Sequence, residues 1–264
     1  MAACAVSATA QEPAPPVIPG PTPRVKPDDK RRTMRSYGHN LFYNLRDVLA
    51  PRNFKPLLIA VAVTAPSFLL DAEGEQYFHD HPHENWGKIG ATAGGTLAMA
   101  GLTVGVFSAG RISRGDRFRS MSYDLSQAII VTQGYTQGLK FAVGRERPDG
   151  SNNLSFPSGH SSNAFTAATV AAMHYPKLTV PVYGLATYIG LSRMAANKHH
   201  FSDVVAGAGL GWVIGRSVVK RNSMPPDPKP GDPAPPAPPK TTWQVTPWRG
   251  PAGDGSGLAL VVSF

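Results

Sequence analysis

Cysteine is almost absent from this chain: Cys4 is the only one in 264 residues. That excludes an intramolecular disulfide framework and the CxxC-type zinc sites, so the fold must rest on packing. Acidic residues are also scarce, 17 Asp and Glu against 26 Lys and Arg, giving a formal net charge of +9. Such an excess suits an anionic partner, whether nucleic acid, a membrane surface or a substrate. Much of it sits in the N-terminal arm (Arg24, Lys26, Lys30, Arg31, Arg32, Arg35) and in a short loop (Arg111, Arg114, Arg117, Arg119). Neither stretch carries the interleaved aromatics of a nucleic-acid surface, so no nucleic-acid partner is expected. A basic n-region followed by an apolar h-region is missing before residue 11. Ala8-Thr9-Ala10 has the A-x-A form of a cleavage site, as if the start lay inside a longer signal peptide; an Ala-rich disordered tip is the alternative.

Proline punctuates both ends. Residues 11–30 and 222–240 are too rich in it for helix or sheet and too polar to bury. The expected organisation is a disordered Pro-rich segment over 1–35, a folded domain over 36–221, a Pro-rich linker over 222–240 and a tail over 241–264. Strand signals are weak inside the domain, where long Ala- and Gly-rich runs lack period-two alternation. Six helices are predicted, over about 56–71, 89–110, 122–143, 160–175, 178–194 and 202–220, which makes an all-α, six-helix bundle. In the tail, Trp243 to Trp248 and Leu258 to Phe264 flank a Gly-rich turn, and Leu258, Leu260, Val262 and Phe264 alternate, so a β-hairpin is expected. An outward-facing hairpin would conflict with a topology that keeps both ends inside.

Residues 89–110 form an uncharged run of the length a bilayer span requires, whereas 57–70 and 178–192 are shorter. The third helix carries Asp124, Gln127, Gln133 and Gln137, which lipid would not tolerate. Loop charge favours the membrane nonetheless. A six-span topology puts Arg111 to Arg119, Lys177 and Arg216, Lys220 and Arg221 on the cytoplasmic side, in keeping with the positive-inside rule. It puts the acidic loop 71–87 outside, together with Lys140, Arg145, Arg147 and Arg193, whose charge has a chemical use instead. The chain is therefore expected in a bacterial inner membrane with its site facing the periplasm, an exported soluble bundle being the alternative.

Three short stretches carry the chemistry. Lys140 and Arg147 stand seven positions apart before Pro148, two turns if helical, so both cations would share a face and grip one phosphate. Ser155-Phe156-Pro157-Ser158-Gly159-His160-Ser161 precedes an Ala-rich helix. There a Ser hydroxyl, a Gly amide and the helix dipole form an anion cradle, with His160 at its rim to protonate a leaving oxygen. Ser192-Arg193 leads to His199, and Asp203 follows four residues later, one turn away, able to accept the ring N–H and fix the tautomer. Each stretch alone has a plain structural explanation: a solvated helix end, an N-cap, a surface helix pair. Their order and spacing together are specific.

The combination Lys-x6-Arg-Pro, Pro-Ser-Gly-His and Ser-Arg-x5-His-x3-Asp closely resembles the type 2 phosphatidic acid phosphatase (PAP2) superfamily, which also includes bacterial acid phosphatases and vanadium haloperoxidases. The resemblance covers roughly residues 57–219. It implies hydrolysis of a phosphomonoester or diphosphate without metal or other cofactor, on a phosphorylated lipid, an isoprenoid phosphate or a small phosphomonoester. His199 would be the nucleophile forming a phosphohistidine, Asp203 would orient it, and His160 would be the general acid. Lys140, Arg147 and Arg193 would hold the phosphoryl oxygens, with Ser158 and the Gly159 amide completing the cradle; His200 would be a bystander. Two alternatives use the same residues. A vanadium haloperoxidase would bind vanadate through His199, although such enzymes tend to be much longer; a non-catalytic membrane scaffold would be expected to have lost His199, His160 or Arg193. The cluster His79-Asp80-His81-Pro82-His83-Glu84 has metal-ligand chemistry, but Pro82 favours an exposed loop with incidental histidines.

Overall fold

The computed structural model describes residues 32–81, 86, 92, 95–224, 242–249 and 256–263. Cys4, the A-x-A site, most of the basic arm, the Pro-rich linker after residue 224, and Pro82, His83 and Glu84 of the histidine cluster lie outside them. Residues up to Met224 and the C-terminal hairpin form two separate units.

Eight α-helices are present among the described residues: α1 (Tyr37–Asp47), α2 (Phe54–Ser67), α3 (Asp71–Asp80), α4 (Thr96–Ile112), α5 (Asp116–Val143), α6 (Gly159–His174), α7 (Thr179–Ala195) and α8 (Phe201–Asn222). Six of them coincide with the expected helices. α1 and α3 are additional, and α3 replaces much of the expected acidic loop 71–87. α3 follows a 3-10 turn over Phe68–Leu70 and opens with Asp71 and Glu73, acids that suit a helix N-terminus. The hairpin pairs β1 (Thr242–Arg249) with β2 (Ser256–Ser263) antiparallel, Thr242 opposite Ser263.

The bundle is polar inside and apolar outside. Tyr123, Ala128, Val131, Val170, Ile214 and Val218 are buried, but so are Asp124, Gln127, Thr132, Thr136, Ser161, Ser162, Asn163 and Thr166. Leu58, Ile59, Val61 and Val63 on α2, Leu97, Leu102 and Val104 on α4, and Val180 and Leu185 on α7 are exposed. Asp124 and Gln127 thus point inward, and Gln133 donates to Asn163 at 2.9 Å, which removes most of the sequence-based objection to α5 as a span. Among the described residues one stretch, Pro51–Asp80, is long and apolar enough to cross a membrane.

At the end of the bundle away from Lys140, Arg32 donates to Asp124 from Nε at 3.0 Å and Nη2 at 2.9 Å. Asn222 donates to the same carboxylate at 2.8 Å and His174 Nε2 meets it at 2.9 Å. Arg32 was expected in the disordered arm; it is buried because a fully buried carboxylate needs a paired cation.

α6 and α8 approach closely because α8 presents glycine every fourth residue. A Cβ on Gly207 would lie 2.6 Å from the Ser158 carbonyl oxygen, and one on Gly211 would lie 2.4 Å from the Ser162 carbonyl oxygen. This small-residue seam brings the start of α6 against the start of α8, and the Ser158 N–H donates to the Asp203 carbonyl at 2.9 Å. Gly211→Ala is expected to destabilise the fold by about 1–3 kcal/mol through overpacking against backbone. Gly105→Ala, where nothing lies within 4 Å among the described residues, should leave stability unchanged or raise it. Thermal unfolding of both variants in detergent checks the opposite signs.

Candidate active site

Four helix ends and two loops assemble the site. α5 stops at Gly144, whose φ of 60° suits a residue without a Cβ, and its N–H closes the helix on the Lys140 carbonyl at 3.0 Å. Lys140 therefore lies in the last turn, while Arg147 is beyond the helix. The two cations do not share a helical face as their spacing suggested; the chain turns after Gly144 and folds back. Lys140 Nζ gathers that loop by donating to the Leu154 carbonyl at 2.5 Å and the Ser155 carbonyl at 3.2 Å, and the Ser155 N–H returns to the Arg145 carbonyl at 2.9 Å. Arg147 comes close enough to Lys140, Arg193 and His199 to act on all three electrostatically.

Ser158 is the N-cap of α6: its Oγ accepts from the Ser161 N–H at 3.4 Å, so its hydroxyl proton remains to be donated. Gly159 is the first residue of the helix, and a Cβ there would sit 3.9 Å from Lys140 Cε, so the start of α6 lies beside that lysine. His160 follows, half-buried.

Arg193 lies in the last turn of α7 and is only 6% exposed, yet its Nε and Nη1 have no hydrogen-bond partner among the described residues; Arg147 Nε is likewise buried and unpartnered among them. Buried guanidinium donors normally find acceptors, and leaving them unpaired is costly, so this corner of the site is built for an anion with several oxygens. After α7 the chain reverses through Asn197, at φ 55°, and the Lys198 N–H donates to the Arg193 carbonyl at 3.0 Å, which carries His199 back over the site.

His199 precedes α8 and Asp203 lies in that helix's first turn, so they do not form the expected one-turn hydrogen bond. Nδ1 of His199 is 3.6 Å from Asp203 Oδ2, beyond hydrogen-bonding range, and Ser155 stands between them. Ser155 Oγ donates to Asp203 Oδ2 at 2.5 Å and lies 3.4 Å from His199 Nδ1. Asp203 also accepts the His200 N–H at 2.9 Å and Arg145 Nη1 at 2.9 Å, so it caps α8 as well as facing the imidazole. Burial holds the His199 imidazole down, to about 4; Asp203 opposes this and the cations Lys140 and Arg147 add to it. The ring is thus neutral at pH 7, with one nitrogen free of a proton.

The structure brings Lys140, Arg147, Ser158, Gly159, Arg193, His199 and Asp203 together. It adds residues to which the sequence assigned no specific role. Arg145, Ser155, Asp71 and Ser202 form a network around Asp203, and His200, expected as a bystander to the chemistry, is held in place, its Nδ1 meeting Glu75 and its Nε2 lying 3.1 Å from the Glu146 carbonyl. Two signals pointed there, the third cation Arg145 within Lys-x6-Arg and the serine two positions before Pro157. The described histidines of the other cluster, His79 and His81, make only local contacts, with Asp80 and with the Tyr77 carbonyl.

Residues 123–224 match the model of the PAP2 superfamily. A lipid A 1-phosphatase of Porphyromonas gingivalis is 40% identical over 91 residues, covering 33% of this chain and 20% of that protein. Phospholipid phosphatase 1 of Rattus norvegicus is 30% identical over 145 residues, 50% of each chain. The chain spans 20% to 50% of the length of the first four curated relatives. In fold, it resembles the crystal structure of a transmembrane PAP2 type phosphatidylglycerolphosphate phosphatase from Bacillus subtilis, with a TM-score of 0.51 at 21% identity, covering 63% of this chain and 92% of that one.

Proposed function

From a segment, residues 123–224, that matches the PAP2 superfamily, we propose that this protein is a phosphatase that hydrolyses a phosphomonoester or diphosphate of a lipid or isoprenoid through a phosphohistidine, without metal. The observation that carries this is the set of unpartnered guanidinium donors of Arg193 and Arg147 beside a buried, neutral His199.

With Nδ1 turned to Ser155 and Asp203, Nε2 is the nitrogen left to attack phosphorus. As the N–P bond forms, the P–O bond to the leaving group breaks and His160 donates its proton to the departing oxygen. Asp203 balances the positive charge that develops on the imidazole. Water, deprotonated by His160, then displaces His199 from the phosphoryl group and restores both histidines. Lys140, Arg147 and Arg193, with the Ser158 hydroxyl and the Gly159 N–H, hold the three non-bridging oxygens, and fixed cations supply the neutralisation that a divalent ion otherwise gives.

The catalytic domain is taken as residues 36–221. The apolar outer surface of α2, α4 and α7 and the polar interior support a bundle set in a bilayer, and the loop charges support an inner-membrane topology with the site on the periplasmic side. The relatives named as lipid A and phospholipid phosphatases support a phosphorylated lipid as substrate. Phosphate release from phosphatidate, undecaprenyl diphosphate, a lipid A phosphate and soluble phosphomonoesters in detergent, with and without chelator, tests this. Release from at least one lipid at an unchanged rate with chelator is expected; chelator-sensitive turnover counts against the mechanism.

The general acid has its own signature. His160→Gln is expected to slow hydrolysis of an alkyl phosphate about 100-fold, and of p-nitrophenyl phosphate far less, because nitrophenolate leaves without a proton. Equal losses on both substrates would remove His160 from that role.

A further inference from the structure

Two carboxylates on α3 that no step above uses, Asp71 and Glu75, face the start of α8. Asp71 is buried and accepts three hydrogen bonds: from the Ser202 N–H at 2.7 Å, from Ser202 Oγ at 2.7 Å and from Arg145 Nη2 at 2.7 Å. The other terminal nitrogen of Arg145 is 2.9 Å from Asp203 Oδ1. One helical turn along the same face, Glu75 meets His200 Nδ1. Between them Gly74 lets α3 come close, since a Cβ there would lie 2.9 Å from Met194 Cε and 3.6 Å from Phe201 Cβ.

We propose that α3 is a positioning clamp for the nucleophile: Asp71 and Glu75 grip Ser202 and His200 and, through Arg145, set the place and charge balance of Asp203 and hence the orientation of His199. The charges alternate along the line Asp71, Arg145, Asp203, His199. Asp71 draws on the other terminal nitrogen of Arg145, so the Asp203 carboxylate keeps its pull on the imidazole instead of being fully neutralised by the guanidinium. Asp71 and Glu75 do not touch substrate in this account. They are positioning residues, and their role rests on His199 being the nucleophile.

The decisive variant is Asp71→Asn, which keeps the shape and removes the charge. Losing hydrogen bonds to a charged group at this point is expected to lower kcat about 10- to 100-fold while KM stays within about threefold, because the phosphate-holding cations are untouched. Gly74→Leu, which lifts α3 without altering a charge, should move kcat and KM in the same pattern. Asp80→Asn, at the far end of α3, should match wild type. Rates are scaled to folded protein, measured by the unfolding transition of each sample, so that a folding defect does not pass for a kinetic one. A second readout needs no turnover: ring 15N shifts of His199 are expected to show one tautomer, with Nδ1 protonated, in wild type and a mixture in Asp71→Asn. The clamp is overturned if Asp71→Asn keeps wild-type kcat per folded molecule and a single His199 tautomer. It is overturned equally if KM rises as much as kcat falls. A wild-type protein that releases no phosphate would instead sink the phosphatase reading, and the tautomer measurement would still decide the clamp.

Discussion

Replacing His199 by alanine is expected to abolish phosphate release, by about 10,000-fold or more in kcat, while the protein stays folded. The size follows from the role. A general acid or a phosphate-holding donor lowers the barrier of a step that still exists without it, whereas removing the nucleophile removes the step. Residual turnover would come only from water attacking a phosphate held in the cationic pocket. His199 is 3% exposed and, among the described residues, Ser155 and Asp203 face its Nδ1, so truncation leaves a small cavity and no orphaned cation. A thermal midpoint close to wild type should accompany the lost rate. Replacing His200, its neighbour, should cost far less, since it reaches the site through Glu75 and the Glu146 carbonyl.

The second large effect is at Arg193. Its Nε and Nη1 are buried donors without a partner among the described residues, and removing one such donor from an anion-stabilising pocket costs about 100- to 1000-fold. Arg193→Gln is therefore expected to lose about 1000-fold in kcat/KM. Arg193→Lys should recover little of it, because a single ammonium cannot reproduce two donors set in a planar fork. The same change should stabilise the substrate-free protein or leave it unaffected, since a buried charge without a partner is removed. Activity and stability moving in opposite directions is what separates a phosphate-binding arginine from a structural one. Arg145 provides the contrast: it is paired to both Asp71 and Asp203, and its loss should lower stability and activity together.

Much of this site was legible in the sequence because its chemistry is carried by short stretches. Ser158 as N-cap, Arg193 at the end of a helix and His199 with Asp203 at the start of the next could all be placed by local rules. What local spacing could not supply was how the chain turns between them. Lys140 and Arg147 meet because Gly144 ends the helix and the Lys140 ammonium reels in the carbonyls of Leu154 and Ser155, not because they lie two turns apart on one face. His199 and Asp203 are bridged by Ser155, a contact between residues 48 positions apart for the carboxylate and 44 for the imidazole. The six expected helices stood out as long runs of small and apolar residues. α1 and α3 did not, since YGHNLFYNLRD and DAEGEQYFHD are polar and α3 holds a glycine; their helicity depends on tertiary partners such as Gln127 for α1 and Ser202 for α3. Arg32 was hidden for the same reason, as its partner Asp124 is 92 residues away.

The outward apolar and inward polar pattern also explains why composition alone left the membrane question open. Polar residues that would disqualify an isolated span are satisfied here by one another: Thr132 by Thr166 at 2.8 Å, Gln133 by Asn163 at 2.9 Å. Only the assembled bundle shows which side of each helix they occupy.

The phosphohistidine is the centre of the account, and trapping it is the most direct test. Wild-type protein in detergent would be mixed with a phosphate-labelled lipid substrate and quenched in alkali within the first turnover, then digested and the labelled peptide identified. A phosphoryl group on His199, stable to base, lost in mild acid, and missing from the His199→Ala protein, is the predicted result. Label on another residue, or an equal amount of label in His199→Ala, would contradict it.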